Sequence, residues 1–292
     1  MPELPEVETI VRDLRKEVLH RTFIAIWTDS KNMIKRETFE SFIKRLKGKE
    51  IVGVRRRAKN ILIDLSDNYI LLIHQKIAGH LLFGEWKLKK GHWISEKEGP
   101  LLSDPINNYI HAIFTLDNGK QIALSDTRKF AKIELWKKDE LESSEDYLKI
   151  GPEPLEDDFT FANFKKLFEK KKGKIKQVLM DQNFISGIGN IYASEILFKA
   201  KIHPEEEIKN LSDKDLKGIY EAMRDILNKA IKLRGDSFSD FRTLYGEKGE
   251  AQDMNKVYQK DGKPCPRCKG MIQRITQGGR GTFFCPQCQI KR

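Results

Sequence analysis

Residues 112–124 read AIFTLDNGKQIAL. Two strand-forming runs flank the triplet Asp117-Asn118-Gly119, which is hairpin-turn chemistry because Asn, Asp and Gly tolerate the positive φ angles of a tight turn. Outward from this hairpin, four more short runs read as strands: TFIAIW (22–27), EIVGVRRR (50–57), ILIDL (61–65) and YILLI (69–73). Ser66-Asp67-Asn68 supplies a turn between the last two. The first half of the chain is therefore expected to be mostly β. A helix precedes it, since Val7, Ile10, Val11, Leu14 and Val18 recur at i, i+3, i+4 spacing and share one face. Residues 86–108 have no periodicity and read as a long surface loop.

Beyond residue 160 the period becomes helical, in FANFKKLFEKKK, KIKQVLMDQ, NIYASEILFKA after a glycine-rich turn, and LSDKDLKGIYEAMRDILNKAIKLRG. Ser212 and Asp215 stand at capping-box spacing, and Gly235 fits a helix stop. Residues 236–260 are polar and contain glycine, which predicts a mobile loop. At 292 residues with 39% apolar content, the chain can hold two domains and a small module. The expected division is 1–148, 149–258 and 259–292. Neither an apolar run of about eighteen residues nor a charged-then-apolar leader is found, so a soluble, cytoplasmic protein is expected. The net charge of +11 and pI near 9.3 point to a polyanion or an anionic membrane surface as partner.

All four cysteines fall in the last 28 residues, as CPRC (265–268) and CPQC (285–288) with sixteen residues between them. Without a secretion signal, that clustering argues against a disulfide framework and for a metal site. The spacing lets two tight knuckles present the thiolates of Cys265, Cys268, Cys285 and Cys288 tetrahedrally to one structural Zn²⁺, with no open position for catalysis. Residues 253–292 carry nine Lys/Arg against two Asp/Glu. Even with four thiolates and one zinc ion the segment keeps a positive balance. Between the knuckles, QRITQGGRGTFF reads as a hairpin whose glycine-rich tip carries Arg280.

The chain opens MPELPEVE. Alone, this is helix initiation: Pro5 suits a first turn, and Glu3, Glu6 and Glu8 suit the positive end of the dipole. Together with RRAKNILIDL (56–65), SDTRKF (125–130), GPEPL (151–155), LMDQ (179–182), SGIGNIYASEILF (186–198) and the cysteine module, it carries a resemblance that runs nearly end to end. The chain resembles the formamidopyrimidine-DNA glycosylases, which remove oxidised purines from DNA and then cleave the strand. The resemblance implies an α+β multidomain fold: an N-terminal β-sandwich with a flanking helix, a helical helix-two-turn-helix domain and a C-terminal zinc β-hairpin. It also implies a monomer acting on double-stranded DNA that carries an oxidised base, associated with the nucleoid.

Roles follow from the resemblance residue by residue. With Met1 removed, Pro2 is a secondary amine that attacks C1′ of the damaged nucleotide; with Met1 attached it is an amide and forms no iminium. Glu3 is implied as proton donor to the sugar ring oxygen, with Glu6 behind it or serving the helix N-terminus. Lys59 is implied as a phosphate contact and proton donor in β-elimination, and Arg280 in δ-elimination. Lys171 and Asn190 match DNA contacts. Arg128 and Phe130 match side chains that fill the void left by a flipped base, the arginine reading the orphaned partner.

Several positions depart from the family pattern. His74-Gln75-Lys76-Ile77-Ala78-Gly79 holds Ile77 where the usual third wedge is methionine. His74 of the same stretch is placed with the DNA contacts. So is Tyr109, which stands where a DNA-contacting histidine is usual, with His111 two residues on. The 86–108 loop is longer than the usual pattern, and the damaged-base loop near 246–257 keeps the length but little of the wording. The rival readings are an endonuclease VIII-like enzyme for oxidised pyrimidines, against which PELPEVE argues, and a catalytically silent zinc-containing DNA-binding protein. A zinc-ribbon RNA binder would explain only the last 40 residues or so.

Overall fold

The computed structural model describes residues 1–292 and divides them into two compact units, 1–148 with 233–252 and 149–232 with 253–292. In the first unit the opening helix is α1 (Leu4–Val18), and Val7, Ile10, Val11, Leu14 and Val18 are all fully buried. Then follow β1 (Phe23–Thr28), α2 (Phe39–Leu46), β2 (Ile51–Arg57), β3 (Asn60–Leu65), β4 (Tyr69–His74), β5 (His80–Gly84), β6 (Trp86–Lys89), β7 (His92–Ser95) and α3 (Pro100–Ser103). The unit continues with β8 (Ile110–Leu116), β9 (Gln121–Ser125), β10 (Lys132–Lys137), α4 (Lys138–Glu142) and α5 (Glu145–Leu148). Asp117-Asn118-Gly119 closes the hairpin of β8 and β9, with Gly119 at φ 80°.

Two antiparallel four-stranded sheets, β1-β8-β9-β5 and β10-β4-β3-β2, share one buried cluster. Phe23, Phe83, Phe114 and Leu124 enter it from one sheet, Ile61, Ile63, Leu71 and Ile133 from the other, and the α1 stripe joins them. Each such side chain, fully buried, stabilises the unit by roughly 1.5–3 kcal/mol. This is the expected sandwich with its flanking helix.

Two expectations are corrected in this unit. Residues 86–108 are not an irregular loop: they form the β6–β7 hairpin, α3 and a 3-10 turn at Pro105–Asn108. Their apolar residues are isolated because Trp86 and Leu101 pack on a small satellite cluster with Leu82 and Ile113, so no long periodic face is needed. Residues 233–252, assigned above to the helical domain and from 236 onward read as part of a mobile loop, group with the sandwich. Three acidic residues of α1 hold them. Glu6 Oε1 accepts the Asp236 N–H at 2.8 Å, Asp13 Oδ2 accepts from Arg234 Nη2 at 2.6 Å, and Glu17 Oε1 accepts from the Tyr245 hydroxyl at 2.8 Å. Two strands of backbone cross tightly here, since a Cβ on Gly249 would stand 2.2 Å from the Gly235 carbonyl oxygen.

The second unit contains α6 (Phe161–Phe168), α7 (Ile175–Leu179), α8 (Asn190–Ala200), α9 (Asp213–Lys232), β11 (Gln273–Gln277) and β12 (Arg280–Phe284). The capping box at the start of α9 forms as expected: the Ser212 N–H reaches Asp215 Oδ2 at 2.9 Å and the Asp215 N–H reaches Ser212 Oγ at 3.2 Å. The zinc-module segment, expected to stand as a third body, packs with the helices through a cluster of Phe198, Val257, Ile272 and Phe283. Glu195 of α8 anchors its entry by accepting the N–H groups of Lys256, Val257 and Tyr258 at 2.8–2.9 Å. Burial pushes the Glu195 carboxyl above its ordinary value, although those three donors pull it back.

Candidate active site and nucleic-acid interface

In the first unit, Pro2 and Glu3 are buried at the head of α1. Glu3 is the N-cap, and Glu6 Oε2 accepts its N–H at 2.7 Å in a reciprocal capping box. Since the other oxygen of Glu6 takes the Asp236 N–H, one carboxylate fixes the N-terminus against the 235–236 backbone. Glu6 therefore serves the helix start and joins the Glu3 backbone to that of Asp236.

Lys59 sits in the tight turn joining β2 to β3, next to Ala58 at φ 54°. It is only 5% exposed, so it is no strand-edge surface lysine. Arg56 pins this turn to α1, with Nε 3.1 Å from Glu8 Oε2 and Nη1 donating to the Ala58 carbonyl at 3.0 Å.

The wedge residues lie on two neighbouring loops. Sheet register sets Lys132 opposite His74 and His80 opposite Ser125, so residues 75–79 and 126–131 leave and re-enter the sandwich together. Ile77 is 42% exposed on one and Phe130 51% on the other, with the Arg128 guanidinium 4.7 Å from the Phe130 ring centroid. Gly79 is obligatory, because a Cβ there would meet the Gln75 carbonyl oxygen at 2.6 Å. A buried residue not singled out in the sequence shapes the second loop. Asp126 accepts the N–H groups of Arg128, Phe130 and Ala131 at 2.8–3.0 Å, and its own N–H donates to the Tyr109 carbonyl at 2.9 Å. Tyr109 is exposed beside it, while His111 pairs with Asp29 through Nδ1 at 2.9 Å.

His74 Nδ1 accepts the Lys76 N–H at 2.9 Å, so the neutral ring carries its proton on Nε2. Burial pushes its pKa down to about 3, and the charges of Lys76, Lys59 and Lys132 add to the effect.

In the second unit, Gly189 is the N-cap of α8 and Asn190 its first residue. The Asn190 side chain bridges to the hairpin, donating through Nδ2 to the Gly281 carbonyl at 3.0 Å and accepting from Lys176 Nζ at 2.8 Å. Lys176, buried and unforeseen, also donates to Thr282 Oγ1 at 2.7 Å. No local pattern in IKQV announces it. Gly278 and Gly279, at φ 55° and 72°, turn the hairpin so that Arg280 emerges exposed. Arg280 and Lys176 line one cleft of about 210 Å³. Lys171 is paired with Asp181 at 2.9 Å.

The four cysteine sulfurs all lie within 4.8 Å of one another, with Cys265–Cys288 at 3.9 Å and Cys268–Cys285 at 3.5 Å. Four sulfurs each about 2.3 Å from a common centre would stand about 3.8 Å apart, so the cluster fits one tetrahedral zinc ion.

Residues 1–133 match the formamidopyrimidine-DNA glycosylase N-terminal domain, residues 150–242 the H2TH domain of the same enzymes, and residues 262–290 a zinc finger found in FPG and IleRS. A formamidopyrimidine-DNA glycosylase of Pelotomaculum thermopropionicum is 36% identical over 289 residues, covering 99% of both chains. Among solved structures, a Lactococcus lactis FPG mutant in complex with Fapy-dG containing DNA and a Lactococcus lactis Fpg in complex with abasic-site DNA both superpose with a TM-score of 0.86. Each is 35% identical, over 99% of this chain and all of the other. The chain belongs to the formamidopyrimidine-DNA glycosylase family, and its four clustered cysteines hold a structural zinc ion.

Proposed function

We infer that this protein is a DNA glycosylase of base excision repair that removes oxidised purines, such as 8-oxoguanine and formamidopyrimidines, from double-stranded DNA and cleaves the resulting abasic site. In this reading Pro2, freed of Met1, attacks C1′. The base departs, the C1′–O4′ bond opens as the ring oxygen takes a proton, and the iminium this leaves at C1′ acidifies the C2′ proton, whose removal expels the 3′ phosphate and breaks the strand on the 3′ side. Glu3 donates to the ring oxygen, Lys59 supplies the proton donor of β-elimination and Arg280 assists δ-elimination. Ile77, Arg128 and Phe130 fill the vacated stack, and His74, Tyr109, Lys171 and Asn190 contact DNA. No helix is long and apolar enough to cross a membrane, and the cytoplasmic nucleoid is the proposed location.

The observation that carries the reading is the Glu6 carboxylate, bonded at once to the Glu3 N–H and the Asp236 N–H. A simple phosphate-binding face has no use for a fixed N-terminal proline and carboxylate. The test is borohydride trapping on a duplex with one 8-oxoguanine opposite cytosine, beside Pro2→Gly, with the N-terminus read by intact mass. A Pro2-dependent covalent complex is expected. An adduct formed only on oxidised pyrimidines would move the protein to the endonuclease VIII-like reading. DNA binding with no adduct on any lesion or abasic site, in Met1-free protein, would leave a silent binder.

A further inference from the structure

Lys76 opens the turn that presents Ile77, and the family resemblance gives it no role. The strand before it, β4, ends at His74, whose residue is fixed twice. Sheet register sets Lys132 of β10 opposite it, and the Lys76 N–H donates to its Nδ1 at 2.9 Å. That bond leaves Nε2–H as the only donor of the ring. The charges of Lys76, Lys59 and Lys132 all act on this ring, Lys76 the most strongly of the three. Three cations gathered at one uncharged ring repel one another, and together they raise the local potential for an anion.

Their own surroundings set the three apart. Lys132 Nζ is paired with Glu134 at 3.0 Å, and Lys59 is buried. On the neighbouring loop, Lys129 is paired with Asp29 at 3.2 Å. Lys76 is partly exposed and has no carboxylate partner. The backbone gains nothing from a side chain at this position, because its φ of 56° is a left-handed conformation that glycine adopts at lower cost. An unpaired ammonium beside a neutral N–H donor suits a phosphodiester, which takes one uncharged hydrogen bond and one ionic contact.

We propose that Lys76 is a ligand of the DNA backbone, the ionic half of a phosphate site whose neutral half is His74, and that it anchors the Ile77 turn on the duplex. This rests on the glycosylase reading above, which sets His74 and Ile77 at the DNA. A phosphate contact carries no information about the base, so Lys76 acts on undamaged and lesion-bearing DNA alike.

The experiment measures binding of the zinc-loaded full chain by anisotropy over a salt series. Two duplexes are compared, one undamaged and one carrying a tetrahydrofuran abasic analogue that forms no iminium. Lys76→Gln is expected to flatten log K against log salt by about 0.9, the counterion release of one phosphate, and to weaken binding about tenfold at roughly 0.1 M salt on both duplexes. Lys76→Arg should keep the wild-type slope. Lys76→Gly should flatten the slope as Lys76→Gln does while holding or raising Tm, since glycine accepts the left-handed φ without strain. Weaker binding in a protein of undiminished stability is a result that a merely structural lysine would not give. A wild-type slope in both Lys76→Gln and Lys76→Gly, an equal loss in Lys76→Arg, or a loss confined to one duplex would overturn the proposal. A flat salt response of the wild type removes the DNA reading and this one with it; a steep wild type with unchanged variants removes only this one.

Discussion

His74 is an uncharged hydrogen-bond donor at physiological pH, which follows from the Lys76 N–H occupying its Nδ1 lone pair and from the cations around it. The folded ring titrates at about 3 against an ordinary value of 6.5. A depressed folded value means that the unfolded chain binds a proton the folded one refuses. The stability of the neutral ring is therefore complete above pH 6.5 and is lost as pH falls below it, at about 1.4 kcal/mol per pH unit until the folded value is reached. Between pH 7 and pH 5 the wild type should lose about 2 kcal/mol more than His74→Gln. Urea denaturation at the two pH values measures it, and parallel losses in the two proteins would show that the ring is protonated in the fold. In the proposed DNA contact, the same chemistry leaves His74 to donate through Nε2–H, with no charge to release a counterion.

Among the elements, the β11–β12 hairpin depends most on something other than its own strands. Two strands alone are marginal in water, and this pair rests on Phe198, Val257 and the four-sulfur cluster. Structural zinc sites of this kind contribute on the order of 10 kcal/mol to folding. One zinc per chain is expected by emission spectroscopy. Chelation, or Cys268→Ser, should open the amides of 265–288 to hydrogen exchange while those of β3 and β4 remain protected. DNA affinity should fall with it, because Arg280 and the Asn190–Gly281 bridge are carried by the hairpin. Retained protection at 265–288 without metal would refute the dependence. The loop over 126–131 shows the contrast: it is shaped by one buried carboxylate and needs no ion.

At the scale of the whole molecule, a charge of +11 makes binding to DNA an ion-exchange process. If about six lysines and arginines neutralise phosphates, log K against log salt should fall with a slope of about −5. Filter binding or anisotropy over a salt series gives that slope directly, and a flat response would contradict the proposed DNA footprint. His74→Gln should leave the slope unchanged, whereas Arg128→Ala or Lys171→Ala should each reduce it by about 1 if the residue contacts phosphate.

The sequence alone determined what local chemistry can carry. The Asp117-Asn118-Gly119 turn, the stripe of α1, the Ser212–Asp215 box and the paired cysteine knuckles each complete their signal within a few dozen residues, and each appears as expected. Family resemblance then named Pro2, Glu3, Lys59 and Arg280, which no periodicity singles out. The tertiary structure decided where the aperiodic segments go. Residues 86–108 and 233–252 look like loops because, beside the small cluster under Trp86 and Leu101, they are held by single polar partners: Asp104 with Arg242, Asn107 with Gly246, Glu6 with Asp236. These partners lie 138, 139 and 230 positions apart. Lys176 with Asn190 and Thr282 is the same case across 14 and 106 positions. A buried hydrogen bond of this kind is strong because water is excluded from it, and water is excluded only once the whole chain has folded around it. No stretch of residues could announce it beforehand.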